Sequence, residues 1–118
     1  MRLTRLIPWI TLCGVALWVN PSLGGTSNSL MDIRKDGKFL AVANPDCGTV
    51  TIVDLTEKKT KSEIKVGKKP EGVTWDASGK RIFATVFGQD TLAVIDADSG
   101  EILKKIPTLD EPYGIVLA

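Results

Sequence analysis

The side chains best placed to touch a ligand are polar and fall between apolar runs: Asn44, Asp46, Lys68, Glu71, Gln89, Asp90 and Tyr113. Asp46, Glu71 and Asp90, with Asp110 and Glu111, offer the carboxylate oxygens that a hard cation takes. No Asp-x-Asp-x-Asp run occurs, so turn formation is the expected task of these acids and no metal site is expected. The sequence contains 0 histidines. That excludes, within these residues, Cys-x-x-Cys-His haem attachment, His-ligated haem, His-containing zinc sites and Ser-His or Cys-His nucleophile pairs. No Gly-rich phosphate loop is present either, because Gly24-Gly25 lacks the Lys and helix that should follow. No catalytic, cofactor-binding or metal-binding constellation emerges, and the seven loop residues stand as a binding face.

The elements that must position them are short strands. Phe39 to Asn44 is almost wholly apolar and reads as a strand buried on both faces. Asp36-Gly37-Lys38 before it and Asn44-Pro45-Asp46-Cys47-Gly48 after it are turns. Thr49 to Leu55 is β-branched and ends at Asp54, an acid suited to bonding local backbone. Charged residues Glu57 to Lys61 then lead into an alternating edge strand, Ser62 to Val66, whose lysines discourage edge-to-edge pairing. Gly67 to Gly72 is a long turn before Val73-Thr74-Trp75.

Everything then recurs 42 residues later without a gap: Gly37 falls on Gly79, Asp54 on Asp96, Ile64 on Ile106, Pro70 on Pro112 and Gly72 on Gly114. Strands are expected again at Arg81 to Val86, Thr91 to Asp96 and Glu101 to Ile106, and Pro112 to Val116 opens a third copy. A period in the forties with four strands per unit is that of a propeller blade. The expected class is all-β: about two blades of four antiparallel strands, 29–70 and 71–112, plus the first strand of a third at 113–118, forming an incomplete ring. Trp75, Phe83, Phe87 and Tyr113 are expected to pack between neighbouring sheets.

The strings Asp36-Gly37-Lys38-Phe39-Leu40-Ala41-Val42-Ala43-Asn44, Gly48-Thr49-Val50-Thr51-Ile52-Val53-Asp54, Ile64-Lys65-Val66-Gly67 and Pro70-Glu71-Gly72-Val73 resemble the YVTN-type β-propeller repeat. The resemblance covers Ser29 to Ala118. It extends to cytochrome d1-like and lactonase-like relatives, and implies an exported or surface protein. Those activities draw on side chains from many blades, and no haem-ligating His can be carried over to these two. In a propeller, Asn44–Gly48, Gly67–Glu71, Phe87–Asp90 and Asp110–Tyr113 line one face together, which places the seven candidates side by side.

The N-terminus carries its own signal. Arg2 and Arg5 precede an uncharged apolar run from Leu6 to Val19, broken by Asn20-Pro21. About 14 residues suits a secretory h-region and falls short of the roughly 20 that span a bilayer. A signal peptide over 1–24 is expected, cleaved before Gly25, with a retained membrane anchor as the alternative. Trp9, Trp18 and Cys13 would leave with it, making Cys47 the single cysteine of the exported part. The formal net charge of +1 would then fall by two to −1. Lysines at 58, 59, 61, 68 and 69 are answered locally by Glu57, Glu63 and Glu71, so nucleic acid is not an expected partner.

Two blades do not close a ring that takes about 4–8. The blades are therefore expected to be a fragment of a longer protein, or else a homo-oligomer in which three chains give six blades. The expected function is that of an exported, non-catalytic module in binding or scaffolding, without a cofactor, whose partner is a protein or further blades and domains. The alternative is the N-terminal part of a periplasmic redox, haem-associated or lactonase-like propeller enzyme.

Overall fold

The computed structural model describes residues 30–118. The expected signal peptide over 1–24 and its cleavage site, with Cys13, Trp9 and Trp18, lie outside the described residues. Eight strands form: β1 Met31–Ile33, β2 Phe39–Asn44, β3 Thr49–Asp54, β4 Lys59–Lys65, β5 Pro70–Trp75, β6 Arg81–Val86, β7 Thr91–Asp96 and β8 Ile102–Pro107. They make two four-stranded antiparallel sheets in sequence order, β1-β2-β3-β4 and β5-β6-β7-β8. Among the described residues the only helical element is a 3-10 turn, Phe87–Gln89.

The sequence repeat is a backbone repeat as well. Register shifts fall at Ile52/Val53 and, 42 residues on, at Val94/Ile95. Left-handed φ angles pair in the same way: Gly37 (76°) with Gly79 (75°), Gly48 (70°) with Asp90 (52°), Lys58 (55°) with Gly100 (76°), and Lys69 (56°) with Glu111 (37°). Asp54 Oδ1 accepts the amides of Thr56 and Glu57, and Asp96 Oδ1 those of Asp98 and Ser99, all at 2.9–3.0 Å. These two acids are turn-formers, as their strand-end positions imply.

Burial shows how the sheets meet. On the first blade the face carrying Ala41, Ala43, Val50 and Ile52 is 0–4% exposed, while Leu40, Val42, Thr51 and Val53 on the other face are half-buried. On the second blade the pattern inverts: Ile82, Ala84, Ala93 and Ile95 are 0% exposed, while on its other face Phe83 and Leu92 are half-buried and Thr85 and Val94 are buried, at 4% and 8%. The two buried faces are packed together into one core. Burial of β2 on both faces, expected from its apolar run, is therefore only half realised, because among the described residues no sheet lies against its second face.

Three boundaries depart from the sequence reading. The edge strand starts at Lys59, not Ser62, because Lys58 adopts the left-handed conformation that lets the chain reverse within a few residues of Asp54. Pro70 and Glu71 belong to β5; Pro70 is its first residue, where a missing N–H is tolerated. Residues 113–118 form no strand. The tail still lies over β5 and β6: Thr85 Oγ1 donates to the Tyr113 carbonyl at 2.9 Å. Of the four aromatics expected between sheets only Trp75 is buried there, at 4%. Phe83 and Phe87 are half-buried and Tyr113 is exposed.

Candidate functional site

The β2–β3 turn, the β4–β5 crossover and the 3-10 turn after β6 converge at one end of the blades. They enclose an open cleft of about 370 Å³. Asp46, Lys68 and Gln89 line it, as do Lys65, Gly67 and Lys69. The Gln89 carboxamide oxygen accepts the Lys68 amide at 3.2 Å and so ties the crossover to the second blade. Gly67 suits this approach, because its φ of 135° is one that residues with a side chain rarely adopt. With three lysines against Asp46, the cleft is electropositive and suits an anionic group.

The remaining sequence candidates are placed differently. Asn44 spends its amide on the hydroxyls of Thr49 and Thr51, at 3.0 and 2.8 Å, so it braces the β2–β3 turn. Glu71 is buried in β5, with Lys69 Nζ at 3.8 Å, and Lys69 Nζ also lies 4.6 Å from the centre of the Phe87 ring. Tyr113 meets Phe87 edge-on at 5.8 Å. Asp90 Oδ1 accepts the Glu111 amide at 2.9 Å, which fastens the tail. Asp46, Lys68 and Gln89 are thus gathered at one cleft; Asn44, Glu71, Asp90 and Tyr113 are engaged in bracing around it. Cys47, which also lines the cleft, is disulfide-bonded. Among the described residues no group of three or more Cys, Asp or Glu side chains is disposed to hold a metal.

The opposite end carries a cleft of about 430 Å³ that sequence reasoning missed, lined by Arg34, Lys35, Asp36, Ser78, Lys80 and Asp98 among others. Arg34 is its anchor. The guanidinium carbon lies 4.2 Å from the Phe39 ring centre and 5.6 Å from that of Trp75, and Nη2 bonds Asp36 at 2.6 Å. The Arg34 side chain, with the Lys38 amide, holds the exposed Asp36 carboxyl down at about 2. Gly79 gives Arg34 room, since a Cβ there would meet Arg34 Cδ at 2.8 Å. Asp76 takes the equivalent position in the second blade. Burial there pushes its carboxyl up, but hydrogen bonds from Ser78, Arg81 and Lys80 outweigh it and the net shift is downward. The available signal was positional: Arg34 and Asp76 are a repeat pair of opposite charge at an otherwise matched turn.

The profile of the cytochrome D1 heme domain family matches residues 25–114. No curated protein matches the sequence. Among solved structures, the chain is similar to Kuenenia stuttgartiensis hydrazine synthase, with 23% identity over 79% of this chain and 28% of that one at a TM-score of 0.69. It is similar to the β-propeller domain of Myceliophteria thermophila Cps50 (Swd1), with 23% identity over 77% and 27% of the two chains at 0.66. It is also similar to dihydro-heme d1 dehydrogenase NirN in complex with DHE, with 24% identity over 74% and 18% at 0.63. These likenesses establish the fold. The chain spans less than a third of the length of each.

A haem finds no matching donor set in these two blades. Proteins hold haem iron through His, Cys, Met or Tyr. The sequence has no His, Cys47 is disulfide-bonded, and Met31 and Tyr113 are both open to solvent, at 58% and 45% exposure. Met31 belongs to the first blade's innermost strand, whereas Tyr113 lies beyond the second blade.

Proposed function

The chain belongs to the cytochrome D1 heme domain family, and from that premise we propose that it is an exported, non-catalytic β-propeller module that acts in binding or scaffolding and is completed by further blades. The observation that carries this is the inverted burial of the two blades. The Ala41 face and the Ile82 face cover one another, and the first blade is left with an apolar flank half open, while on the second blade's flank Phe83 and Leu92 remain half-buried. A blade face of this composition is a packing surface, and repeat units of this size rely on neighbours to bury it. Export is supported by Arg2, Arg5 and the apolar run behind them. The cleft at Asp46, Lys68 and Gln89 is the place on this module for a small anionic group or an acidic peptide segment.

The family match favours a second reading, in which these blades open a periplasmic redox or lactonase-like enzyme whose reactive groups come from other blades. Haem tests whether these two blades themselves supply such a group. Titrated into the purified chain and followed in the Soret region, haem is expected to give no saturable, ligated band. A stoichiometric band that disappears in Tyr113→Phe or Met31→Leu would replace the binding module with the redox reading.

A further inference from the structure

Asp36-Gly37 is the only Asp-Gly step in the sequence, which has no Asn-Gly step either. The reaction open to such a step is attack by the glycine nitrogen on the preceding side-chain carboxyl carbon. Glycine permits it, because it puts no Cβ in the path and lets the backbone turn freely. In the folded chain the step forms the tip of the β1–β2 hairpin, where Gly37 has a φ of 76° and Asp36 is exposed.

Both reacting groups are held there. Arg34 Nε lies 3.1 Å from each Asp36 carboxylate oxygen, Arg34 Nη2 donates to Oδ2 at 2.6 Å, and the Lys38 amide donates to Oδ1 at 2.9 Å. The Gly37 N–H donates to the Arg34 carbonyl at 2.7 Å. Arg34 thus engages the carboxylate with its side chain and the proton of the attacking nitrogen with its main chain. Attack needs a neutral carboxyl, whose hydroxyl can leave, and the Arg34 side chain keeps Asp36 ionised down to about 2. Arg34 is itself fixed: its guanidinium lies by the rings of Phe39 and Trp75, and its stem fills the space beside Gly79.

The second blade builds the same turn without the reactive group. Forty-two residues on, Ser78-Gly79 replaces Asp36-Gly37 and Asp76 replaces Arg34. Gly79 has a φ of 75° and its amide donates to the Asp76 carbonyl at 3.0 Å, so the turn forms with no carboxyl next to the glycine. The carboxylate–guanidinium pair is therefore an addition of the first blade, and it sits on the one step of the sequence that can rearrange in this way.

We infer that Asp36-Gly37 is a latent isoaspartate site and that Arg34 keeps it closed. In the reaction the Gly37 nitrogen bonds to Asp36 Cγ, and the amide proton leaves with the carboxyl hydroxyl as water. Water then opens the cyclic imide. Attack at the Asp36 main-chain carbonyl carbon breaks its bond to the Gly37 nitrogen and leaves the chain running through the Asp36 side chain. The water lost is regained, so the mass is unchanged and neither oxidant nor cofactor is needed. The product carries its free carboxylate on Cα and an extra carbon in the turn, which takes from Arg34 the partner it holds at Cγ.

The test is incubation of the full chain at about pH 5, just above the ordinary carboxyl range, followed by digestion with a protease that cuts before Asp but not before isoaspartate. Conversion at Asp36 leaves fragment 32–35 joined to 36–45. The same digest reads the exposed Asp98-Ser99 step, which Arg34 does not bond, as an internal control. In urea, isoaspartate should build up at position 36, and in the folded chain at least severalfold more slowly. In folded Arg34→Met, or Arg34→Lys should Arg34→Met not fold, the rate at Asp36 should rise at least severalfold over the unsubstituted chain, with Asp98 unchanged. No isoaspartate at position 36 in urea, or an equal rate in the folded chain, overturns the latent site. An unchanged rate at Asp36 in the folded variants, or a rise matched at Asp98, assigns the protection to folding at large and overturns the role of Arg34.

Discussion

Asp32 on the innermost strand of the first blade and Trp75 on that of the second are joined twice. Asp32 Oδ2 accepts the Trp75 amide at 2.9 Å, and the Trp75 indole N–H donates to the Asp32 carbonyl at 3.0 Å. The same carboxylate accepts the Thr74 hydroxyl at 3.1 Å. One side chain thereby satisfies two donors on the next sheet, where the apolar contact alone would leave a buried amide without an acceptor. The pair lies between blades, so it fixes how one sheet sits on the other and not merely how each sheet folds.

Replacing Asp32 should therefore loosen the pair of blades. Asp32→Ala leaves the Trp75 amide and the Thr74 hydroxyl buried without that acceptor, and should lower the unfolding free energy by about 1–3 kcal/mol. Asp32→Asn keeps one acceptor oxygen and should lose less. Urea unfolding, followed by Trp75 fluorescence and by far-ultraviolet circular dichroism, gives both values.

Lys58 offers a change in the opposite direction. Its φ of 55° matches the 76° of Gly100 at the same repeat position, so a lysine stands where the second blade uses glycine. A left-handed L-residue costs roughly 1–2 kcal/mol, part of which the greater freedom of glycine in the unfolded chain takes back. Lys58→Gly should raise stability by a few tenths of a kcal/mol to about 1 kcal/mol, read as a higher urea midpoint at unchanged slope.

Arg34 sets the acid response of the end opposite the cleft at Lys68. Asp36 titrates at about 2, against an ordinary 3.8, chiefly through the Arg34 side chain. The folded chain thus keeps Asp36 ionised at pH values where the unfolded chain has protonated it. Its contribution is complete above pH 3.8 and is lost as pH falls towards 2; the lowered carboxyls of Asp76 and Asp96 act in the same sense. In Arg34→Met the Asp36 carboxyl should rise most of the way back to 3.8, and the loss of stability below pH 4 should become shallower. Carboxyl carbon shifts followed by NMR measure the first, and acid melts the second.

Much of this was legible in the residues, for reasons that differ along the chain. β2, β3, β6 and β7 could be bounded to within a residue because Gly37, Gly48, Gly79 and the aspartates Asp54 and Asp96 mark their ends by backbone chemistry. The start of β4 was not legible, because Lys58 does the work of a glycine and nothing in its type announces a left-handed φ. Which face of each sheet is covered was also hidden. Leu40 and Ala41 are equally apolar, and only the presence of a single neighbouring blade decides that Ala41 is buried and Leu40 is not. At the candidate site the repeat placed Asp46, Lys68 and Gln89 at one end of the blades. It could not show that Asn44, Glu71 and Asp90 are occupied in bracing, since those bonds depend on distances across turns. Arg34 escaped notice because its importance lies in the rings of Phe39 and Trp75, one of them from the next blade.

Native-state hydrogen exchange at Trp75 measures whether the two blades are one cooperative body joined at Asp32 and Trp75. The indole N–H and the backbone amide of Trp75 should exchange together with the core amides of β2, β3, β6 and β7, at the rate set by global unfolding. Exchange of both Trp75 protons at a freely solvated rate, while those strands remain protected, would show that the blades fold separately and would contradict it.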